Sequence, residues 1–331
     1  MRTSNQSVKA LLTLAAVSFF SFSCKKEVSN NNSNDQTTSR KLGIQSTTYY
    51  LSASSNSTDF QSLVDAAAAN DIIILKTGSH YVTTPIRLMA GKNNITIRGE
   101  SGAVVRKAPN SYNAAVFEIT GNYNTIDLIE LDGGNLPEAG IIIYGQHNTV
   151  SNSKVHNCGN ASAVGAGILL HDTGNPVCCY NTVIGCSVYY NYMVGVSQHG
   201  HSNGTIRDNQ IYQNGAEGLT IDVLSHNNYV YNNWIHQNNT SNFGVGGIGI
   251  DDSNGNLIDN NTIDYTQYKS GITFQNNIGG CDGTTVTNNR INYNAQYGIT
   301  ERWTQYSNTN TSSFSTDQFI GNSSGTTTII H

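Results

Sequence analysis

The sequence predicts an all-β fold, a parallel β-helix whose coils each contribute three short strands and whose N-terminal end is covered by a helix. Three observations predict it: an internal repeat of aliphatic residues, a recurring pair of asparagines, and a glycine-led strand that closes each unit. A repeat of this kind, built from strands too short to bury themselves, is typical of a solenoid.

The repeat is defined by two aliphatic residues that lie five positions apart. The pairs are Ile126 and Leu131, Val150 and Val155, Val183 and Val188, Ile206 and Ile211, Val230 and Ile235, Ile258 and Ile263, and Val286 and Ile291. Apolar and polar residues alternate around each pair, which indicates strands. The many Asn and Gly residues would break helices, so helical solenoids are excluded.

A pair of polar residues separates the two strands of several units. The pairs are Asp208-Asn209, Asn232-Asn233, Asn260-Asn261 and Asn288-Asn289. Asn tolerates the left-handed backbone of a tight turn, and Asn side chains stacked on successive coils can hydrogen-bond to one another. The pairs therefore predict tight turns that carry an asparagine ladder.

The two ends of the β-helix need covers, because an open solenoid end exposes unpaired strand edges. The segment "STDFQSLVDAAAAND" from Ser57 predicts a short helix, with Thr58 and Gln61 as a capping box, that covers the N-terminal end. We expect the Ser/Thr-rich segment from Asn308 onward to close the other end with irregular strands. Residues 49–331 then form a single domain.

Residues 1–23 have the features of a secretory signal, with an apolar run followed by small Ser23 and then Cys24. The run is too short to span a membrane and precedes a polar segment. The ending resembles a bacterial lipoprotein signal, which implies that Cys24 is lipidated; simple secretion is the alternative. Residues 24–48 are then a flexible tether. We expect an exported protein that contacts the outer membrane only through its lipid anchor.

Composition limits the partners. The 331 residues include 12% charged residues and carry a net charge of −5, without a basic stripe. Phosphate backbones require such a stripe, so a nucleic-acid partner is excluded, and we expect a monomer. Five cysteines follow Cys24, and in an exported chain we expect one loop disulfide, between Cys158 and either Cys178 or Cys179.

A third strand closes each unit, as in "GIIIY" from Gly140, "GVSQH" from Gly195 and "GITER" from Gly298. The pattern of repeats, turns and glycine-led strands resembles the right-handed parallel β-helix proteins of the pectate-lyase-like superfamily: polysaccharide lyases, polygalacturonase-type hydrolases and alginate C5-epimerases. The resemblance implies a right-handed helix of coils, a carbohydrate-active enzyme, and a sugar-binding groove lined by the sheet of glycine-led strands.

Alternation along the glycine-led strands predicts three outward rows that run from coil to coil. The first row is Gly140, Gly167, Gly195, Gly218, Gly247, Gly271 and Gly298, which would form a flat floor or, alternatively, a tight turn into the strand. The second row is Ile142, Leu169, Ser197, Thr220, Gly249, Thr273 and Thr300. The third row is Tyr144, His171, His199, Asp222, Asp251, Gln275 and Arg302. Histidines stacked beside carboxylates should perturb one another's pKa values, as catalytic sites require.

β-Elimination or C5-epimerisation of a uronate needs a base, an acid and a group that offsets the sugar carboxylate. The base would be His199 or His171, and the acid Tyr144 or Tyr297. The candidates for the neutralising group are Lys269, Arg302, and a Ca²⁺ ion held by Asp222, Asp251 and Asp252. The residues expected to contact the substrate are Asp251, Gln275, Glu217, Tyr297, His201 and Thr220.

Alternatives stay open at this point. Alginate epimerases carry a Tyr-Gly-Phe-Asp-Pro-His motif; in "VGVSQH" Gly195 and His199 match, but Val194 and Ser197 replace the Tyr and the Asp. A hydrolase would use carboxylates from Asp222, Asp251, Asp252 and Glu217. A third alternative is a glycan-binding protein without catalysis, or a metal-binding one that uses His171, His199 and His201. A competing row on another sheet is His156, Tyr189, Tyr212, His236, Asp264 and Asn292.

Overall fold

The computed structural model describes residues 46–109, 114–136, 138–161, 165–173, 178–276, 280–303 and 316–330. The predicted signal, Cys24 and nearly all of the tether therefore lie outside the described residues. Among those that are described, no helix is long and apolar enough to cross a membrane.

The described residues form three sheets of ten parallel strands each. Sheet A contains β1 (Thr48–Leu51), β2 (Ile72–Leu75), β5 (Thr96–Gly99), β8 (Thr125–Asp127), β11 (Thr149–Ser151), β14 (Thr182–Ile184), β17 (Thr205–Arg207), β20 (Tyr229–Tyr231), β23 (Leu257–Asp259) and β26 (Thr285–Thr287). Sheet B contains β3 (Gly78–Val82), β6 (Ala103–Lys107), β9 (Glu130–Asp132), β12 (Lys154–His156), β15 (Ser187–Tyr189), β18 (Gln210–Tyr212), β21 (Trp234–His236), β24 (Thr262–Asp264), β27 (Arg290–Asn292) and β29 (Gln318–Ile320). Sheet C contains β4 (Ile86–Leu88), β7 (Phe117–Ile119), β10 (Ala139–Ile143), β13 (Ala166–His171), β16 (Val196–His199), β19 (Leu219–Asp222), β22 (Gly246–Asp251), β25 (Ser270–Asn276), β28 (Tyr297–Trp303) and β30 (Gly325–Ile330).

These sheets confirm the predicted three-stranded coil. Each coil runs from sheet A through sheet B to sheet C, and each strand pairs with the equivalent strand of the next coil, as Val230 does with Ile258. The repeated aliphatic pairs fill the interior: Val230 and Ile235 are fully buried in one continuous apolar core. Residues at the C-terminal end continue this pattern in β29 and β30, so the expectation of irregular closing strands was wrong for them.

Helix α1 (Ser57–Ala66) forms where the sequence predicted it and packs against β4 and β1. Phe60 on its buried face meets Phe117 edge-on, with the ring centroids 5.9 Å apart. The predicted capping box of Thr58 and Gln61 is wrong. Asn56 is the N-cap and accepts from the backbone N–H of Asp59 at 3.0 Å, while the Asp59 carboxylate accepts from the Asn56 N–H. Asn is as good an N-cap as Thr, so composition alone does not fix the first residue.

The asparagine ladder forms as predicted. Asp208, Asn232, Asn260 and Asn288 take the left-handed conformation at the turn between sheets A and B. The residue after each of them points inward. The Asn233 side-chain oxygen accepts from the Asn209 backbone N–H at 3.0 Å, and its amide donates to the Asn261 side-chain oxygen at 2.9 Å. The ladder therefore satisfies the buried polar groups of the turn from one coil to the next.

The glycines that begin the sheet C strands face inward, so the predicted glycine floor was wrong. A Cβ on Gly167 would stand 2.5 Å from Val188 Cγ1 and 2.7 Å from the side-chain amide of Asn191, both of them interior groups. The other glycines of the row meet the same kind of neighbours. Interior side chains of sheet B and the Gly195 carbonyl of the next coil fill this position, which leaves no room for a side chain.

The cysteines are packing residues. Cys158 and Cys178 are buried thiols, so the predicted disulfide from Cys158 to Cys178 or Cys179 is wrong. The Cys158 Sγ faces the His156 carbonyl at 3.6 Å, and the Cys178 Sγ faces the Ile143 carbonyl at 3.2 Å. Burial raises the pKa of Cys178 well above its usual range. These thiols behave as small apolar groups.

Candidate functional site

The third row predicted from the sequence exists on the outer face of sheet C. His171 pairs with His199, and His199 with Asp222, in the parallel register of β13, β16 and β19. Further along the sheet, Asp251 pairs with Gln275, and Gln275 with Arg302. All of these residues are partly exposed. The alternation of each strand therefore turns one line of polar side chains toward solvent, with about 4.8 Å between neighbouring coils.

Four residues of this row are in direct contact and form what we call the His–Asp row: Tyr144, His171, His199 and Asp222. His199 Nδ1 lies 3.0 Å from Asp222 Oδ1. The imidazoles of His171 and His199 stack with centroids 4.9 Å apart, and the Tyr144 ring meets His171 edge-on at 5.6 Å. A phenol, two imidazoles and a carboxylate thus stand side by side on four successive coils.

The pKa values of the two histidines are shifted in opposite directions. The hydrogen bond that Asp222 accepts from His199 raises the pKa of His199, and this effect outweighs the lowering caused by partial burial. Burial, helped by the neighbouring His199, lowers the pKa of His171. Burial and the carboxylates of Glu118 and Glu138 raise the pKa of Tyr144, so its phenol keeps its proton at neutral pH. Near pH 6.5 the row therefore combines a neutral imidazole with a protonated one.

The second row is largely covered and does not form an open floor. Thr220 is only 9% exposed and donates to the Ser197 hydroxyl at 2.9 Å. A cover segment, residues 242–246, crosses the sheet over Gly249: the Val245 N–H donates to Glu217 at 2.6 Å, and the Thr273 hydroxyl donates to the Val245 carbonyl at 2.8 Å. The structure therefore presents the third row, and not Thr220, to a ligand.

Glu217 lies beneath this cover segment and is only 7% exposed. Burial raises the pKa of its carboxyl, although the Val245 N–H and Lys269 act in the opposite direction. Asp222 is close enough to add to the rise. Glu217 thus lies near Asp222 and holds the backbone of the cover segment, whereas Lys269 directly precedes β25, three coils beyond His199.

Other predicted site residues are spread along the sheet. Arg302 is four coils from His199, which corresponds to about 19 Å at the usual strand spacing. Tyr297 is on that same distant coil, paired with Gly325. The structure therefore does not bring Tyr297 or Arg302 to the histidines, and Gln275 lies between the two groups.

The predicted calcium ligands are only partly together. Asp222 and Asp251 occupy adjacent coils of the third row, whereas Asp252 is buried on the turn that follows, where it faces the Gly280 N–H at 3.4 Å. Within the described parts of the chain, no three His, Cys, Asp or Glu side chains are grouped so that they could hold a metal ion. These residues do not fit a calcium site of three carboxylates, and we assign no chemical step to an ion.

His201, which the sequence predicted to contact the substrate, is fully buried. Burial lowers its pKa to about 3. Its Nε2 accepts from the Asn181 N–H at 3.3 Å, and its Nδ1 lies 3.2 Å from the Gln198 amide. On the preceding coils an Asn side chain accepts this kind of bond, but here the equivalent residue is Gly204. The imidazole replaces the missing asparagine, because a Cβ on Gly204 would collide with it.

Sequence reasoning missed two residues beside Asp222. Val223 and Leu224 both have left-handed backbone conformations, with φ of 51° and 64°, and both side chains are about half exposed. A β-branched residue at positive φ is a strained outlier, and such strain clusters at functional sites. The sequence does contain a signal: two bulky apolar residues occupy a turn where the coil before it has Gly200.

The comparisons with known proteins agree with this architecture. The chain is similar in structure to a pectate lyase, Pel9A (19% identity, TM-score 0.57, 83% of this chain and 80% of that one). It is also similar to an alginate lyase from Paenibacillus sp. str. FPU-7 (14% identity, TM-score 0.54, 86% and 98%) and to the tailspike protein 2 of bacteriophage CBA120 (16% identity, TM-score 0.60, 83% and 46%). At these identities the likeness concerns the fold.

No protein of curated function matches the chain in sequence. Residues 22–235 and 139–319 match the family described as "Right handed beta helix region". Together these matches extend over most of the sequence, including every residue of the His–Asp row. The chain belongs to the right-handed β-helix family.

Proposed function

We propose that the protein cleaves an acidic, uronate-containing polysaccharide, such as alginate or pectin, by β-elimination. The observation that carries this proposal is the pair of stacked imidazoles, His171 and His199, whose pKa values move apart. Titratable neighbours pushed apart in this way are how active sites provide a base and an acid at the same pH. The similarity in fold to a pectate lyase and an alginate lyase supports the choice of substrate class.

His171 acts as the base in this proposal. Its lowered pKa keeps the imidazole neutral at neutral pH, so a nitrogen lone pair is free to remove the proton at C5 of the uronate. The electrons of that C–H bond form the C4–C5 double bond as the C4–O4 bond breaks. The leaving O4 takes a proton from the Tyr144 hydroxyl, whose ring meets His171 edge-on on the side away from His199.

His199 supplies positive charge next to this base. Its contact with Asp222 favours the imidazolium, which can offset the sugar carboxylate as negative charge develops at C5. Asp222 also fixes the orientation of the ring. Lys269, whose charge acts on Glu217 in the coil of Asp222, is the second cationic candidate. His199 and Lys269 would thus supply positive charge in a chain that contains few Lys and Arg residues.

Epimerisation and hydrolysis fit the geometry less well. C5-epimerisation returns a proton to the opposite face of the sugar, whereas all four groups of the His–Asp row stand on one sheet and reach the sugar from one side. Inverting or retaining hydrolysis needs two accessible carboxyls. Of the four carboxyls that a hydrolase would use, Glu217 and Asp252 are buried, and of the two partly exposed ones, Asp222 and Asp251, Asp222 is already hydrogen-bonded to His199.

The test is incubation with alginate, polygalacturonate and chondroitin sulfate, each with Ca²⁺ and with a chelator. β-Elimination yields an unsaturated sugar end, which we expect to see as rising ultraviolet absorbance with at least one polymer. New reducing ends without that absorbance would move the assignment to hydrolysis. A changed ratio of C5 epimers without chain cleavage, read by proton NMR, would move it to epimerisation. Binding without any product would leave a glycan-binding protein.

Two variants locate the activity. His171→Ala and His199→Ala should each lower kcat at least a hundredfold, because each removes a group that acts in the transition state. His147→Ala is the matched control, since His147 is also a ring-stacked histidine but lies between Tyr123 and Tyr180 on another turn. Equal loss in all three variants would indicate damage to the fold.

We also propose that Cys24 anchors the chain to the outer membrane. The supporting observation is the signal-like N-terminus that ends in Ser23 and Cys24. Growth with labelled palmitate should label the wild-type chain and leave Cys24→Ala unlabelled. Label on both, or on neither, would contradict the anchor and favour simple secretion.

A further inference from the structure

A second line of functional side chains runs across the outer face of sheet B, on a different side of the β-helix from the His–Asp row. The residues, in register from coil to coil, are Asp132, His156, Tyr189, Tyr212, His236 and Asp264. The four rings stack on one another with centroids 4.8 to 5.1 Å apart. The two tyrosines of the stack are partly exposed and offer phenol hydroxyls, whereas the two histidines are only 7% exposed.

One position in this line has an unused hydrogen-bonding group. His156 is only 7% exposed, and its Nε2 has no hydrogen-bond partner among the described residues. The nearest acidic atom is Glu130 Oε1, at 3.5 Å, too far for a good hydrogen bond. A hydroxyl group placed at the edge of the imidazole could bond to both atoms at once. A buried polar atom without a partner is costly, so this niche favours a ligand that brings such a group.

Exposed aromatic residues accompany the line. Trp234 is 47% exposed, stacks on His236 with centroids 4.0 Å apart, and donates from its indole N–H to Asp264 at 3.2 Å. Tyr190 is 53% exposed and sits at φ 53°, where a bulky residue costs about 1 kcal/mol. The next two coils place Gln213 and Gln237 at the same turn, so the turn itself does not require an aromatic ring.

Charge decides which glycan fits this face. Two of its acidic residues are paired with cations, Asp132 with Arg106 and Glu130 with Lys154 at 3.4 Å, and Asp264 lies within the electrostatic influence of Arg290. The face therefore has little net field with which to recruit a polyanion such as a uronate polymer. Tyr hydroxyls, imidazole nitrogens and paired carboxylates instead match an uncharged chain of hydroxyl groups.

The shape of the outer face of sheet B also suits an extended polysaccharide chain. The turns between sheets A and B contain only two or three residues each, for example Asp208 and Asn209 between β17 and β18. Sheet B therefore has no long loop along the edge it shares with sheet A, and an extended chain could approach its outer face from that side. We propose that the outer face of sheet B, centred on His156, Tyr189, Tyr212 and Trp234, is a second binding surface, for an uncharged, hydroxyl-rich polysaccharide. This proposal is independent of the chemistry of the His–Asp row.

The ring stack also stabilises the fold, so the test must remove hydroxyl groups and keep the rings. Tyr189→Phe/Tyr212→Phe does so, and Trp234→Ala removes the exposed indole. Tyr231→Phe is the matched control, since Tyr231 stacks on Tyr229 at 4.1 Å but on sheet A. Thermal unfolding of all variants would show that the rings still pack.

Native gel electrophoresis through gels containing hydroxyethylcellulose, xylan or galactomannan measures binding, with polygalacturonate gels for comparison. We expect at least one neutral polymer to retard the wild type, His199→Ala and Tyr231→Phe equally. Binding should be about tenfold weaker for the double Phe variant and for Trp234→Ala. The proposal is overturned if no neutral polymer retards the wild type, if only polygalacturonate does, or if both sheet B variants bind as the wild type does.

Discussion

His199 Nδ1 lies 3.0 Å from Asp222 Oδ1, across two adjacent coils of the same sheet. The contact exists because the parallel register places the last residue of β16 beside the last residue of β19. The carboxylate raises the pKa of His199, whereas the pKa of the stacked His171 is lowered. The two histidines are thereby divided into a neutral base, His171, and a cation, His199.

The pH dependence of cleavage should reflect this division. Activity requires His171 to be neutral, so the rate rises as pH increases through a pKa below the ordinary 6.5. It also requires His199 to be protonated, so the rate falls as pH increases through a pKa above 6.5. We expect a bell-shaped profile of kcat/KM with its maximum near this value. A profile that rises steadily to pH 9 would contradict the role of His199.

Asp222→Asn should move only one limb of that profile. Loss of the carboxylate removes the main cause of the raised His199 pKa, so the descending limb should shift to lower pH. The ascending limb should change little, because burial is the main cause of the lowered His171 pKa. Asp208→Asn, on an exposed turn of sheet A, serves as the control. Parallel shifts of both limbs would argue against separate roles for the histidines.

His201 should make stability depend on pH. Its folded-state pKa is lowered to about 3, so the unfolded chain takes up the proton first as the pH falls below 6.5. The free energy of unfolding should therefore decrease by roughly 2 kcal/mol between pH 7 and pH 5 through this residue alone. Urea denaturation at the two pH values measures the difference.

A double variant provides the comparison for His201. His201→Ala/Gly204→Asn rebuilds the asparagine ladder in the form that neighbouring coils use, with the introduced side-chain amide oxygen accepting from the Asn181 N–H. We expect it to be more stable than His201→Ala alone and to lose about 2 kcal/mol less between pH 7 and pH 5 than the wild type. An unchanged pH dependence would show that His201 is not the group responsible.

The inward glycines predict a clear loss of stability on substitution. Gly167→Ala would place a methyl group 2.5 Å from Val188 Cγ1, and we expect the free energy of unfolding to fall by about 2 to 3 kcal/mol. Gly134→Ala is the control, since its φ of 62° imposes strain but the nearest atom is 3.7 Å away. It should lose only about 1 kcal/mol. An unchanged free energy of unfolding in Gly167→Ala would contradict the inward placement of the glycines and favour the outward floor.

Val223 offers the opposite case, a strained residue beside the site. Val223→Gly should raise the free energy of unfolding by about 1 kcal/mol, because Gly adopts φ of 51° without the clash that a β-branched residue has. Cleavage should slow several-fold, since this turn fixes the Asp222 carbonyl, which accepts from Gly200 and Ser225. Lower stability, or unchanged activity, would show that the strain is not used to position Asp222.

The coil structure could be predicted because its causes are local. The period-two alternation around Val230 and Ile235, and the turn preference of Asn232, operate within a few residues and repeat in every coil. The sequence left the direction of the glycine row open, and the outward alternative was wrong. Alternation alone turned Gly167 outward, whereas the pairing of β10 with β13 skips Gly140 and Gly167, so the alternation is interrupted and Gly167 faces inward.

The candidate site was predictable as a row and less so as a set of contacts. Register follows from the repeat, which is why His171, His199 and Asp222 were placed side by side. The cover over Thr220 depends on the path of residues 242–246, which follow no repeat. The burial of His201 depends on the space that Gly204 leaves in the ladder, and the repeat does not reveal which side chain fills that space.

The most direct test of the account is the rate of unsaturated product formation from polygalacturonate and alginate by the wild type, His171→Ala, His199→Ala and His147→Ala. We predict ultraviolet-absorbing product from at least one polymer with the wild type and His147→Ala, and at least a hundredfold lower kcat in the two variants of the His–Asp row. Full activity in His171→Ala, in an otherwise stable protein, would contradict the assignment of His171 as the base and with it β-elimination by the His–Asp row.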